Sequence, residues 1–224
     1  MPCRRHMPLI AVALATSLVT ASAKQAETDR IEAAAEVLEQ ILAAKDTGIP
    51  KAILDKAAAL VVIPSTVKGA FIVGGQRGKG VISGRSGGRW SPPAFITLTG
   101  GSFGFQIGGQ ATDVVLVVMN ERGLNNLTQN SFKIGGDASV AAGPVGREAT
   151  AATDYKLQAE ILSYSRSRGL FAGISLAGST IRADRDANEK VYGVAYNTRQ
   201  IIVDQKGGSP SDVSPWVRVL QKIS

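Results

Sequence analysis

The sequence predicts an α+β fold: a mainly antiparallel β-sheet, sandwich- or barrel-like, with N-terminal helices, a short central helix and a C-terminal helix. Three observations carry this. Between Gly69 and Val118, short apolar and β-branched runs alternate with glycine pairs, the rhythm of antiparallel strands and tight turns. Ahead of that stretch, residues 26–45 repeat apolar side chains at helical spacing. Glycine supplies 25 of 224 residues without a collagen period, which favours turns and sheet over a helix bundle.

Each element has its own signal. Ile31, Ala34, Ala35, Leu38, Ile41 and Leu42 form the apolar stripe of the first helix, with glutamates on the other face. Gly48 and Pro50 end it. An alanine-rich helix from about Lys51 to Ala59 follows, then the apolar strand Leu60–Ile63, stopped by Pro64. Strand-forming runs recur at Phe71-Ile72-Val73, Val81-Ile82, Phe95–Thr99 and Val114–Met119, broken by Gly74-Gly75, Gly87-Gly88 and Gly100-Gly101. Asn120 offers an N-cap for a short helix through Glu121 to Leu127. A second β region is expected from Phe132 to about Val194. Residues 205–212 read as a surface linker, and Ser214-Pro215 offers an N-cap and an N1 proline for a last helix, Trp216–Ile223.

The first 23 residues read as a secretory signal. Arg4 and Arg5 form its positive start, Pro8–Thr20 its apolar middle, and Ala21-Ser22-Ala23 an A-x-A cleavage site before Lys24. Cleavage removes the single cysteine, Cys3, and the single histidine, His6. That excludes histidine-based acid–base catalysis, thiol nucleophiles and His/Cys metal sites from the mature chain. No cofactor is expected, and the chain is read as a non-enzyme.

Charge is uneven. The chain carries a net +7, and +5 once Arg4 and Arg5 are removed. Residues 24–46 hold Glu27, Asp29, Glu32, Glu36, Glu39 and Asp46 against Lys24, Arg30 and Lys45, a net −3. Residues 47–90 hold Lys51, Lys56, Lys68, Arg77, Lys79, Arg85 and Arg89 against Asp55, a net +6. A local cationic field of that size points to an anionic partner.

Several catalytic patterns match without their chemistry. Gly100-Gly101-Ser102-Phe103-Gly104 fits the nucleophile elbow, but no histidine remains to activate Ser102. Ser65-Thr66-Val67-Lys68 lacks the partner motifs of the serine acyl-enzymes. Gly78-Lys79 falls short of a P-loop, which needs glycine at Val73 and Ser/Thr at Gly80. Asp184-Arg185-Asp186-Ala187-Asn188 opens like a calcium loop, yet Glu189 replaces its glycine and Ala195 its bidentate glutamate. A polar turn is expected there, and the sequence leaves open whether Asp184, Asp186 and Asn188 hold a cation. Phe103 and Phe105 alternate but lack flanking arginines, so no nucleic-acid platform is expected.

Four long segments carry a resemblance. They are Trp90–Gly104, Met119–Arg122, Ala138–Arg147 and Ser163–Gly173, including the runs W-S-P-P-A-F-I-T-L-T-G-G-S-F-G and S-Y-S-R-S-R-G-L-F-A-G. Over about Gly48–Gly193 the chain resembles the SYLF domain, a lipid-binding family. The resemblance implies binding of phosphoinositide-like headgroups through a basic surface, and actin binding in some members. Nucleic acid is not an expected partner, nor is actin for a secreted bacterial member. The chain is accordingly divided into a signal at 1–23, an acidic amphipathic helix at 24–47, a SYLF-like lipid-binding domain at 48–204, and a linker with a C-terminal amphipathic helix at 205–224. The expected activity is non-catalytic binding of anionic phospholipid at a periplasmic membrane surface. The expected carriers are Lys68, Arg77, Lys79, Arg85 and Arg89, with Arg166 and Arg168 as further contributors. The competing expectation is an envelope interaction module for an acidic protein or glycan.

Overall fold

The computed structural model describes residues 10–44, 48–64, 77–99, 112–146, 159–167, 170–173, 176 and 178–223. Its strands are β1 (Ala59–Ile63), β2 (Arg77–Ser86), β3 (Arg89–Trp90), β4 (Ala94–Thr99), β5 (Asp113–Val118), β6 (Ser131–Lys133), β7 (Val140–Ala142), β8 (Ile161–Ser167), β9 (Leu170–Gly173) and β10 (Thr180–Ala183). They form one curled sheet, a half-barrel, in the order β6-β10-β4-β2-β1-β5-β8-β7, with β3 beside β2 and β9 beside β8. Every pairing is antiparallel except β7 with β8.

The helices are α1 (Ile10–Ala43), α2 (Lys51–Asp55), α3 (Glu121–Leu127), α4 (Arg185–Tyr192), α5 (Thr198–Ile202) and α6 (Ser214–Leu220). They cover both faces of the sheet, which explains the unbroken apolar runs. β1 and β5 are buried at every position, as strands covered on both sides must be. One face packs Leu60, Val62, Val81, Phe95, Val115 and Tyr164 beneath α1, α4 and α6. The other packs Val61, Ile82, Ile96, Leu116 and Ile181 against Leu124 and Leu127 of α3 and Ile201 and Ile202 of α5. The C-terminal helix belongs to the first core: Trp216 is fully buried and donates its indole N–H to Ser83 Oγ at 2.8 Å.

The α+β expectation is met, with Asn120 capping α3 as read: its side chain accepts from the Gly123 amide at 2.9 Å. Other boundaries move. Helix α1 starts at Ile10 rather than near residue 26, because the alanine- and leucine-rich stretch ahead of Lys24 also favours helix. Helix α2 ends at Asp55, since Ala59 already pairs in β1. Ser214 is the first residue of α6, not its cap; a 3-10 turn, Ser211–Val213, leads into it.

The β region expected to reach Val194 stops at Ala183, and two helices follow. The polar turn expected at Asp184–Asn188 is the start of α4. Asp184 caps that helix by accepting from the Ala187 amide at 3.3 Å, and Gly193 closes it at φ 71°. Only Ala187, Asn188 and Val191 of α4 are buried, so its apolar stripe is too thin to announce a helix. Helix α5 begins with a reciprocal capping box between Asn197 and Gln200.

Candidate functional site at the cationic end of the sheet

Chain direction sorts the charges. Register pairs Ile63 with Val114, Arg77 with Thr99, Thr180 with both Thr99 and Lys133, and Ser167 with Leu170. The end of β1, β4, β6 and β8 therefore coincides with the start of β2, β5, β9 and β10. At this end, one register row runs Lys79, Thr97, Arg182, Ser131, and the next runs Arg77, Thr99, Thr180, Lys133.

Rows share a face, and residues two apart on a strand return to it. The same face carries Val81 and Phe95 one position further in, beneath the helices. Past Val81 and Phe95 it turns basic and hydroxyl-rich, with Thr97 itself buried. Lys79 and Arg182 flank Thr97 at two strand spacings, about 10 Å between backbones. Lys79 is half-buried, while Arg182 and Lys133 are exposed. Among the described residues none of the three side chains has an acidic partner within ion-pair distance. Asp137, at the β6 edge, accepts the Lys133 backbone amide at 2.5 Å.

The sequence-derived carriers separate. Arg77 and Lys79 occupy this end, two residues apart on β2. Arg166 is at the same end, but its guanidinium is held by Asp113, 2.5 Å from Nη2 and 2.8 Å from Nε to the same oxygen. With Asp113 buried, the pair is locally neutral. Arg85 and Arg89 lie at the opposite end; six residues of strand separate Lys79 from Arg85, about 20 Å. Arg85 donates to the Asp55 carbonyl at 2.7 Å and sits 5.6 Å over the Trp90 ring, tying β2 and β3 to α2. Arg89 is exposed on β3. Lys68 and Arg168 lie outside the described residues, as do Arg147, Phe71–Val73, Phe103, Phe105 and the motifs at 65–68 and 100–104. Sequence reasoning missed Arg182 and Lys133, which sit in short strands whose partners are distant in the chain.

A second charge cluster is buried. Arg30, 1% exposed, meets Glu27 at 2.6 Å and Asp184 at 3.0 Å, and lies 5.2 Å over the Phe95 ring. Lys190 reaches Glu27 at 3.6 Å. Glu27 and Arg30 thus belong to the inward face of α1, four residues ahead of Ile31 and Ala34 respectively, not to its charged outer face. The cluster fastens α1 to α4 over β4.

Two of the three residues left open as cation ligands are otherwise engaged. Asp184 caps α4 and binds Arg30, and Asp186 is exposed. Asn188 is fully buried, accepting from the Phe95 amide at 2.9 Å and donating to the Tyr196 carbonyl at 3.0 Å. Among the described residues no group of three His, Cys, Asp or Glu side chains converges. Burial pushes the Tyr164 and Tyr192 phenols well above the usual tyrosine range, which keeps both neutral. Among the described residues no helix is long and apolar enough to cross a membrane.

Comparison with known proteins identifies relatives of the chain. The family described as "Ysc84: Las17-binding protein actin regulator" matches residues 99–223, from the last residue of β4 through β6, β10 and the C-terminal helix. The chain is similar to Protein YSC84 of Saccharomyces cerevisiae, 35% identical over 79% of this chain and 38% of the relative. It is also similar to LAS seventeen-binding protein 3 of the same organism, 36% identical over 79% and 39%. A third relative is SH3 domain-containing YSC84-like protein 1 of Xenopus laevis, 37% identical over 66% and 44%. The chain spans less than half the length of these relatives.

Proposed function

The chain belongs to the Ysc84 family, the SYLF-domain family of its sequence resemblance, and we propose that it is a non-catalytic module that binds anionic phospholipid headgroups. The observation that carries this is the row Lys79–Thr97–Arg182, with Lys133 one row away: three cations on one sheet face, none neutralised by an acid among the described residues. A headgroup phosphate between the flanking Lys79 and Arg182 side chains would supply the counter-charge that no described acid provides. Each base near an anionic surface contributes about 1 kcal/mol, decaying over a Debye length of about 8 Å. Removal of residues 1–23 would place the module in the periplasm, peripheral to a membrane.

An acidic protein partner is the second reading. Its support is that one yeast relative is named for binding another protein, "LAS seventeen". Vesicle co-sedimentation separates the two. Binding that rises with phosphatidylglycerol content and falls with salt supports the lipid reading. Equal indifference to neutral and anionic vesicles refutes it and leaves the protein partner.

A further inference from the structure

The three unneutralised cations are spread over their face in a way that one phosphate does not satisfy. Lys79 and Arg182 stand in one register row on either side of Thr97, about 10 Å apart between backbones. Lys133 stands one strand beyond Arg182 and two residues along, about 8 Å from it and about 16 Å from Lys79. All three share the face, because Ser131, the row partner of Arg182, is two residues from Lys133 on β6. Side chains on a sheet stand roughly perpendicular to it, so lysines that far apart do not close on one anion. Arg182 is the middle member of a Lys–Arg–Lys series.

The residue types suit that order. A guanidinium carries several N–H donors in a planar fork and can serve an anion on each side, whereas each lysine is a compact point charge. Hydroxyls fill the space between the charges. Thr97 separates Lys79 from Arg182. The pairs Arg182–Ser131 and Thr180–Lys133 set two cations and two hydroxyls on opposite diagonals of one square. Arg182, Ser131 and Lys133 are exposed, and Thr180 is half-buried. The stem of Lys133 lies against Gly136, where an added methyl would meet its Cδ at 3.4 Å.

We infer that this face is a two-phosphate site whose preferred ligand is a diphosphate phospholipid, cardiolipin, in which a glycerol bridge joins two phosphodiesters. One phosphate lies between Lys79 and Arg182, the other between Arg182 and Lys133. The midpoints of those two gaps are about 8 Å apart, half the separation of the lysines, a span that an extended glycerol bridge with its ester oxygens covers. This rests on the lipid-binding reading above and adds a headgroup selectivity that net charge alone does not produce. A lipid with one phosphate fills one position at a time, whereas the bridge makes filling the second an intramolecular step.

The test uses the full chain and vesicles matched in charge: cardiolipin in phosphatidylcholine, against phosphatidylglycerol in phosphatidylcholine at twice the mole fraction. Co-sedimentation should give a Kd about tenfold lower on the cardiolipin vesicles, because the second phosphate binds at a raised effective concentration. Lys133→Gln should abolish that preference while weakening binding to phosphatidylglycerol vesicles only about fivefold, the share of one base. Lys79→Gln should do the same from the other end of the series. Circular dichroism checks that both variants keep the wild-type fold. Equal Kd on the matched vesicles overturns the two-phosphate site and leaves the lipid reading standing. A preference that survives both substitutions belongs to the bilayer rather than to this face, and overturns the site as well. Failure to bind either anionic vesicle overturns the lipid reading and the inference together.

Discussion

Arg30 in the N-terminal helix and Asp184 at the start of α4 are 154 residues apart in sequence and 3.0 Å apart in space. Asp184 serves two elements at once: one carboxylate oxygen caps α4 and the other holds Arg30. The contact lies at the boundary of the cationic face, since Asp184 follows Arg182 by two residues and Phe95, beneath Arg30, precedes Thr97 by two. The packing of α1 and the shape of the candidate site therefore share one joint.

Replacing Arg30 should be costly. Arg30→Ala leaves Glu27 and Asp184 facing each other without their buried cation, and breaking a buried pair from one side costs about 3–5 kcal/mol. Urea unfolding of the variant against wild type should show a loss of that size. A midpoint within experimental error of wild type would mean that α1 is held by its apolar stripe alone.

Cations at the two ends of the sheet should behave differently. Reversing Lys79, Arg182 and Lys133 to glutamate should lower affinity for anionic vesicles on the order of a hundredfold, at about 1 kcal/mol per base. Reversing Arg89, some 20 Å away by strand geometry, should change it little. Equal effects from the two sets would show diffuse attraction to net charge rather than a docking face.

Tyr164 gives a pH dependence with a definite sign. Its phenol is buried and its pKa raised, so the folded state keeps the proton while the unfolded chain loses it near pH 10. Its contribution to stability is fully present below pH 10 and declines as pH rises beyond it. Tyr164→Phe should flatten that decline. At neutral pH the variant should unfold within about 1 kcal/mol of wild type, because the hydroxyl has no hydrogen-bond partner among the described residues. Denaturant midpoints at pH 7 and pH 10.5 provide the comparison.

Asn188 should prove structural. Asn188→Ala strips partners from the Phe95 amide and the Tyr196 carbonyl, each a buried group worth about 1–3 kcal/mol when left unpaired. Thermal unfolding should fall accordingly, while added calcium should leave the wild-type midpoint unmoved. A calcium-dependent rise abolished by Asn188→Ala would restore the cation-loop reading.

Processing is open to a direct measurement. The protein purified from the cell envelope should have the mass of a chain beginning at Lys24, given Ala21-Ser22-Ala23 behind an apolar run. In the folded molecule Lys24 pairs with Asp212 at 2.8 Å. Recovery of the intact Met1–Ser224 mass would refute cleavage.

Much of this molecule was readable from local pattern. The stripe from Ile31 to Leu42, the cap at Asn120 and the unbroken runs at Leu60–Ile63 and Val114–Val118 each declare their element within a few residues. That follows because helical period, cap chemistry and burial on both faces act over one or two turns or a single strand. Even the missed helix α4 left its start and stop signals in sequence, Asp184 and Gly193.

The site was not readable in that way. Counting charge along the chain gathered Lys79 with Arg85 and Arg89, because they are near in sequence, and passed over Arg182 and Lys133, because they are not. A strand carries its two ends far apart, so neighbours in sequence parted to opposite ends of the sheet. Pairing of β4 with β10 joins Thr99 to Thr180 across 81 residues, and that register alone sets Arg182 beside Thr97. Sequence by itself determined the fold class, the elements with strong local signals, the family and an excess of positive charge. Only the tertiary structure decided which cations share a face, because cross-strand register depends on the packing of both cores, not on any local run of residues.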